Sequence, residues 1–417
     1  MDKEKSIFYG WWVVTALYMV GMLGPTARYS LSALSPFIRN ELLWTKTQVG
    51  LAFSIHLWIY SFMVLVAGWM IDHLGGRRTV FIGGIMLLIT LGLLSRTSSL
   101  WYFYTLYGAI LPFGVALTHF IPTQAIARKW FEKKAGLVGG IMATAFAIGV
   151  GLFSPLLTNL GGSVGWRMAW LICAISFGAL IMLSTLLIRD TPESMGLHPD
   201  GISEISKKEE VPSANAEENT WKLKEAITTP SFWLLAAGFA LISIPLQGLL
   251  ANIVMWAVDL GSPVATAGLI LTFFTLPSVP AKIGGGLLGD KFGKKNILIF
   301  GHLACMLIMI YAWLGVHTAG NLILFVVLLG VGYGVSIGLF APYLGDMFGR
   351  ASIGSLLGLM TLGHTFVGGF GSLIWGWLSD LSGSYNSACF LSAICYAMVV
   401  VAFILIKPPV RKQHVTG

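Results

Sequence analysis

The chain has 417 residues, 56% of them hydrophobic and only 11% charged, and its mean hydropathy is +0.80. A soluble domain carries about 25% charged residues, so this composition excludes a cytosolic enzyme, a nucleic-acid binder and a disordered scaffold. The net charge of +8 does not bring nucleic acid back as a partner, because the basic residues follow a topological pattern instead of forming a binding patch.

Apolar stretches long enough to cross a bilayer, about 20 residues each, recur twelve times. In chain order they cover approximately residues 9–31, 48–71, 79–96, 101–126, 135–160, 167–188, 231–257, 264–289, 296–316, 321–345, 352–378 and 386–406. Fifty glycines and fifteen tryptophans suit such a chain, since small residues let membrane helices approach and Trp sits at the interfaces. The first stretch is too long for the apolar core of a signal peptide and reads as a retained helix. Cys173, Cys305, Cys389 and Cys395 fall inside apolar runs with no CxxC or Cys/His spacing. They read as small buried hydrophobes, and neither a metal site nor a cofactor is expected.

Between the sixth and seventh stretches lies Arg189–Pro230, with 14 of the chain's 44 charged residues and the run KKEEVPSANAEEN. Such a segment cannot bury a core and reads as a polar linker. It divides the chain into an amino-terminal six-helix unit over 1–188, a linker over 189–230 and a carboxy-terminal unit over 231–417. Within the linker, Trp221–Ile227 is amphipathic and is expected on the membrane surface. With the amino terminus inside, twenty Lys and Arg fall on the cytoplasmic side against four outside (Arg39, Lys46, Arg96, Arg167), and Arg28 and Lys282 lie within helices. This asymmetry places both termini and the linker in the cytoplasm. It fits a monomer embedded in the lipids of a cell (inner) membrane.

The two halves repeat. GWMIDHLGGRR (Gly68–Arg78) ends the second stretch and GGLLGDKFGKK (Gly285–Lys295) ends the eighth; aligning Asp72 with Asp290 gives an offset of 218 residues, close to that between helices one and seven. The expected fold is therefore an all-α membrane protein with twelve transmembrane helices in two pseudo-symmetric six-helix bundles. A repeat of this kind suits an alternating-access transporter with its site between the halves near the midplane.

The pattern G-x-x-x-D-x-x-G followed by paired basic residues, present twice at matching places, resembles the signature loop of the major facilitator superfamily. The glycines Gly68, Gly75 and Gly293 permit close approach and a tight turn. Asp72 and Asp290 can each face the N-terminus of helix eleven or five of the opposite half. Arg77, Arg78, Lys294 and Lys295 can pair with acids or lipid headgroups. The loops then act as a latch that shuts the inner gate; the plainer alternative is topology and lipid anchoring. Three further parts of the chain, Ala127–Leu157, Arg189–Gly201 with Thr229–Leu235, and Tyr333–Gly363, resemble bacterial monocarboxylate porters and the neighbouring oxalate/formate antiporter group. The resemblance implies transport of small organic carboxylates across the inner membrane.

Ionisable residues inside a membrane are expensive and mark function by default. Lys282 lies in helix eight, about 12 Å above Asp290 at about 1.5 Å per residue. The resemblance puts it where monocarboxylate porters carry a carboxylate-binding arginine. Lysine keeps anion recognition but not the bidentate grip, and it can lose its proton when desolvated. Arg28 follows a Gly-Pro-Thr break in helix one and is expected nearer the outer end, as a second carboxylate ligand or an outer-end arginine. His119 and His364 fall well inside helices four and eleven and can switch charge near neutral pH, whereas His56 and His302 read as packing residues. Gln247, Asn252 and Tyr333 are neutral candidates for orienting a ligand or for interhelical bonds.

No Asp or Glu lies in the middle of any stretch, so proton coupling falls to Lys282, to His119, or to Asp259 at the outer end of helix seven. Two functional readings stand. One is a proton-coupled transporter of lactate- or pyruvate-like monocarboxylates. The other is a dicarboxylate or hydroxy-acid anion exchanger that uses Arg28 and Lys282 together. A receptor that binds without transporting lacks an attached signalling domain, and a membrane enzyme lacks HExxH, GxSxG or any nucleophile–base set.

Overall fold

The computed structural model describes residues 8–201, 221–349 and 353–409. Twelve long helices run through them: α1 Tyr9–Leu42, α2 Lys46–Leu74, α3 Gly76–Leu94, α4 Leu100–Trp130, α5 Ala135–Ser163, α6 Trp166–Ser184, α7 Pro230–Asp259, α8 Val264–Phe292, α9 Lys294–Gly315, α10 Ala319–Phe348, α11 Ile353–Ser382 and α12 Asn386–Leu405. Eleven of these are long and apolar enough to cross a membrane. The other, α1, is the longest at 34 residues, and its Trp, Tyr, Gly, Ser and Arg residues dilute its hydropathy.

The helices form two groups of six. In the first, α1 packs on α5 and α3 packs on α4 and α6; in the second, α7 packs on α11 and α12, and α8 on α10. The groups meet along α2–α11, α5–α8 and α1–α7. Glycines inside each group, between α3 and α4 and between α9 and α10, carry the repeat into three dimensions. Gly83 lies against Thr118 and Gly301 against Ser336; Gly114 lies against Leu87 and Gly332 against Cys305. All these pairs are related by the same 218-residue offset as Asp72 and Asp290. Gly75 (φ +85°) and Gly293 (φ +86°) make the equivalent turns after α2 and α8, in a left-handed region that other residues rarely enter.

One expectation needs correction, and one helix is irregular. Helix one does not end near residue 31 but continues to Leu42. The Ser-rich stretch stays helical because Ser30 and Ser35 donate to the Ala27 and Ser32 carbonyls in their own helix, at 2.7 and 2.9 Å, and because its faces are covered by neighbouring helices. Arg28 therefore lies about 21 Å from the end of α1, deeper within the helix than a span ending near residue 31 implies, though still nearer that end than the start. Nor is helix four uniform. It contains a π-helical turn at Tyr104–Ile110 and a break at His119, whose backbone (φ −102°, ψ −147°) is not helical.

The end of the bundle that carries Arg77, Arg78, Arg128, Lys294 and Lys295 is called the basic end below, and the opposite one the far end. On the basic end the first part of the linker is strapped to the first group. Asp190 accepts the Arg77 N–H at the start of α3 (2.7 Å), and Asp200 accepts the Glu132 and Lys133 N–H groups before α5 at 2.8 and 2.7 Å. Carboxylates are favoured there because the first N–H groups of a helix have no internal partner. KKEEVPSANAEEN lies outside the described residues. Trp221 is buried against Phe348, and its N–H donates to the Phe348 carbonyl (3.0 Å).

On the far-end side of the α2–α11 seam the backbone at Gly50 packs directly on the backbone at Ser372. A Cβ at Gly50 would stand 2.5 Å from the Ser372 carbonyl oxygen, whereas one at Gly286 meets nothing within 4 Å. Gly50→Ala is expected to cost about 1–3 kcal/mol of overpacking and to lower the melting temperature of the purified protein. Gly286→Ala should leave it unchanged or slightly higher.

Candidate functional site

The centre of the first group is a polar cluster around Arg28. Its side chain is 3% exposed, and it has no carboxylate partner among the described residues. Its Nε donates to His56 Nε2 (3.0 Å), and its guanidinium carbon stands 3.9 Å from the centre of the Tyr60 ring. Nη2 is buried with no hydrogen-bond partner. His56 Nδ1 is 3.0 Å from the Tyr107 carbonyl. A carbonyl only accepts and an arginine Nε only donates, so His56 is the neutral tautomer with its proton on Nδ1. The Tyr107 hydroxyl donates to the Arg28 carbonyl (2.6 Å). Tyr60 Oη shares a 2.6 Å hydrogen bond with His119 Nδ1 at the break in α4.

The cluster reaches the second group through Tyr29, whose hydroxyl donates to Gln247 Oε1 on α7 (3.1 Å). Arg28, His119 and Gln247 are thus joined by direct contacts or one intervening tyrosine. The other candidates lie elsewhere. Lys282 is half-buried on α8 beside Gly338 of α10, and no hydrogen bond or ion pair reaches its ammonium among the described residues. Proline residues at 277 and 280 interrupt the backbone bonding of α8 just before it. Tyr333 is half-buried against Phe274, with ring centres 6.1 Å apart, and its hydroxyl has no protein hydrogen bond. His364 stacks on Phe239 at 4.3 Å, and its Nδ1 donates to the Phe239 carbonyl (2.7 Å). Asn252 is fully buried in the α7–α11 seam, where its amide donates to the Gly248 and Ser372 carbonyls at 2.9 and 3.4 Å.

Asp259 is part of a latch at the far end. Lys46 Nζ on α2 donates to Asp259 Oδ2 on α7 (2.5 Å) and to Ser379 Oγ on α11 (2.9 Å). Asp380 accepts the Lys46 and Thr47 N–H groups at 3.2 and 2.7 Å, so a carboxylate of one group caps a helix of the other. Ser54 donates to the Gly369 carbonyl and Thr158 to the Ala265 carbonyl across the same boundary, at 2.5 and 3.0 Å. The far end is closed.

At the basic end the pairing stays inside each group. Lys294 pairs with Asp346 (2.7 Å), and Lys295 donates to the Ile404 and Ile406 carbonyls. Asp72 and Asp290 are exposed and make no hydrogen bond or ion pair to the opposite group among the described residues. Nothing lies within 4 Å of a Cβ built at Gly68. A cavity of about 430 Å³ separates Arg128 of α4 from Lys294, Asp346 and Leu357 of the second group. The halves are parted here, and among the described residues neither Asp72 nor Asp290 bonds to the opposite half.

Sequence reasoning read His56 as packing and did not single out Tyr60, Tyr107 or Lys46 as site residues. Charge and position marked Lys46 only as an outer-side cation. The histidine's role depends on a carbonyl of another helix, which leaves no trace in spacing.

The sequence model described as "Major Facilitator Superfamily" matches residues 17–263 and 246–417. The chain is 24% identical to an oxalate:formate antiporter of Oxalobacter formigenes, over 96% of this chain and 93% of that protein. It is 23% identical to monocarboxylate transporter 2 of Homo sapiens, over 94% and 84%. Among solved structures, a bacterial homologue of the human lysosomal transporter Spinster, inward-facing and unoccupied, superposes with a TM-score of 0.71 at 16% identity, covering 97% of this chain and 95% of that one. The nucleoside transporter NupG does so with a TM-score of 0.72 at 14% identity, covering 94% and 99%.

The latch can be tested by removing its cation. Lys46→Gln should open the far end, and a cysteine placed at Met255, now 1% exposed beside Arg39, should react with a maleimide about tenfold faster for each 1.4 kcal/mol lost from the closed state. An unchanged labelling rate would mean that the latch contributes nothing to closure.

Proposed function

The chain belongs to the Major Facilitator Superfamily, and from that premise we propose that it is a secondary transporter of small organic carboxylates working by alternating access. Residues 1–188 and 231–417 are its two moving bundles and 189–230 is the linker; the basic end is cytoplasmic. The observation that carries the substrate class is the Arg28 guanidinium, buried in mid-helix without a carboxylate beside it. A buried cation is normally paired by the protein, and here the substrate supplies the anion. Lys282, with no partner on α8, is the second cation and the one able to exchange a proton. His119, Tyr333, Gln247 and His364 line or order the space between them. The oxalate:formate antiporter and monocarboxylate transporter among the relatives support the same cargo.

Coupling follows from charge. A guanidinium does not deprotonate, so the empty site keeps a positive charge that opposes its return across the membrane. That favours anion exchange, or a dianion neutralised by Arg28 and Lys282. A proton-coupled monocarboxylate cycle is the second reading, supported by the unpaired ammonium of Lys282.

Thermal unfolding of purified protein with a panel of mono- and dicarboxylates tests the class, because a ligand that binds only the folded state adds about 2.7 kcal/mol at a hundred times its Kd. Stabilisation by lactate or oxalate is expected in wild type and is lost in Lys282→Ala. Loss of oxalate stabilisation in Arg28→Ala as well marks the two-cation site. Retention of lactate stabilisation there marks the monocarboxylate cycle. Full stabilisation of Lys282→Ala by every effective ligand would remove Lys282 from the site.

A further inference from the structure

The Arg28 cluster contains more than a cation. A guanidinium offers a carboxylate two bidentate edges, one using Nε with a neighbouring Nη, the other using both Nη atoms. Nε is already committed to His56 Nε2. Nη2 is the buried donor left without a partner. The edge that contains Nε is therefore closed to a ligand, and the end-on edge is kept for it.

His56 can hold that bond only while Nε2 carries a lone pair, and α4 ensures this. In the π-helical turn the Leu111 N–H reaches back five residues to the Leu106 carbonyl. The next donor that could satisfy the Tyr107 carbonyl from within the helix belongs to position 112, which is proline and has no N–H. The Tyr107 carbonyl is thus left for His56 Nδ1–H (3.0 Å), and the tautomer is fixed as metal-binding histidines are fixed by their outer partners. Phe53, Tyr60 and Tyr107 surround the imidazole, with ring centres 6.4, 6.5 and 5.1 Å away. Among the described residues, the charged group facing it is Arg28 alone.

We infer that His56 is a positioning residue for the transported carboxylate: clamped by the π-turn carbonyl of Tyr107, it turns the Arg28 guanidinium so that its end-on edge meets the substrate. This rests on the carboxylate reading above and adds a residue that does not itself touch substrate.

Counterflow in proteoliposomes, with radiolabelled lactate and oxalate as probes, separates the two ideas. His56→Phe keeps the aromatic packing and removes both nitrogens; His56→Leu replaces it if Phe does not fold. The expected result is an apparent KM raised about tenfold, the scale of one hydrogen bond to a charged group, with the maximal rate within about twofold of wild type, as for loss of binding and not of translocation. His56→Gln, which retains a donor and an acceptor, should recover most of the affinity. Wild-type KM in His56→Phe, alongside lost transport in Arg28→Ala, overturns the positioning role and leaves the carboxylate reading intact. A fall in maximal rate with unchanged KM, unrelieved by Gln, means that His56 serves helix packing and likewise overturns it. Unchanged KM and transport of both lactate and oxalate in Arg28→Ala removes Arg28 from the substrate site and overturns the reading of Arg28 on which this inference rests.

Discussion

A guanidinium held in mid-membrane without a carboxylate is the constraint around which the first group is built. Desolvating such a charge costs several kcal/mol even after relaxation, and the protein answers with neutral partners only. A ring face takes the cation at 3.9 Å and an imidazole lone pair takes one N–H at 3.0 Å. Both partners are in turn fixed, the Tyr60 hydroxyl by His119 and the imidazole by the Tyr107 carbonyl. An acid from the chain itself would have been cheaper to bury but would have filled the place of an anionic ligand. On the proposed reading, the buried Nη2 left without a partner among the described residues is the donor that an anion would satisfy.

The irregularities of α4 belong to the same problem. A regular helix keeps its carbonyls for itself, and only a π-turn followed by proline leaves one free to orient a histidine on α2. Twelve residues beyond Tyr107, the break at His119 brings an imidazole nitrogen to Tyr60. Non-helical backbone at membrane depth is tolerated where it lines a cavity or is buried in protein, and both irregularities of α4 face Arg28's neighbours. At the far end the two groups are joined differently, by ions and by close glycine contacts. Lys46 bonds Asp259 and Ser379, while Asp380 caps the start of α2. These bonds can all break by a small separation of rigid helices, as a rocking transition requires. The basic end has its charges paired within each group. The charged bonds between the groups are therefore collected at the far end, while at the site the groups are joined by the neutral Tyr29–Gln247 bond.

Much of this was legible in the sequence. Twelve apolar stretches gave twelve helices, and the 218-residue offset between Asp72 and Asp290 recurs in the glycine contacts of both groups. Arg28 and Lys282 stood out because charge in an apolar run is costly wherever it points. What could not be read was anything set by a partner on another helix. Arg28's depth was underestimated because the apolar span was ended near residue 31, whereas the buried serines beyond it bond back to their own helix and let it run on. His56 and His119 carry the same letter, but only the free carbonyl of Tyr107 makes the first an orienting group. Asn252 was indistinguishable from Gln247 by residue type and helix, yet one ties α7 to α11 and the other meets Tyr29.

On the carboxylate-transport reading proposed above, placing one cation in each half would give the cycle its logic. In the closed-far-end conformation Arg28 belongs to α1 and Lys282 to α8, on opposite sides of the boundary that must rearrange. Without an anion the two positive charges repel any approach of the halves around an emptied site. With an anion between them, attraction to both draws the bundles together about the substrate, favouring an occluded state over either open one. Substrate charge then decides how much of this is neutralised. A dianion balances both cations, a monoanion leaves one charge, and a proton travels with the anion only if Lys282 holds it in the loaded state and gives it up in the empty one. The difference between exchange and proton-coupled transport thus reduces to the protonation of one amine, while the guanidinium beside His56 stays charged in both.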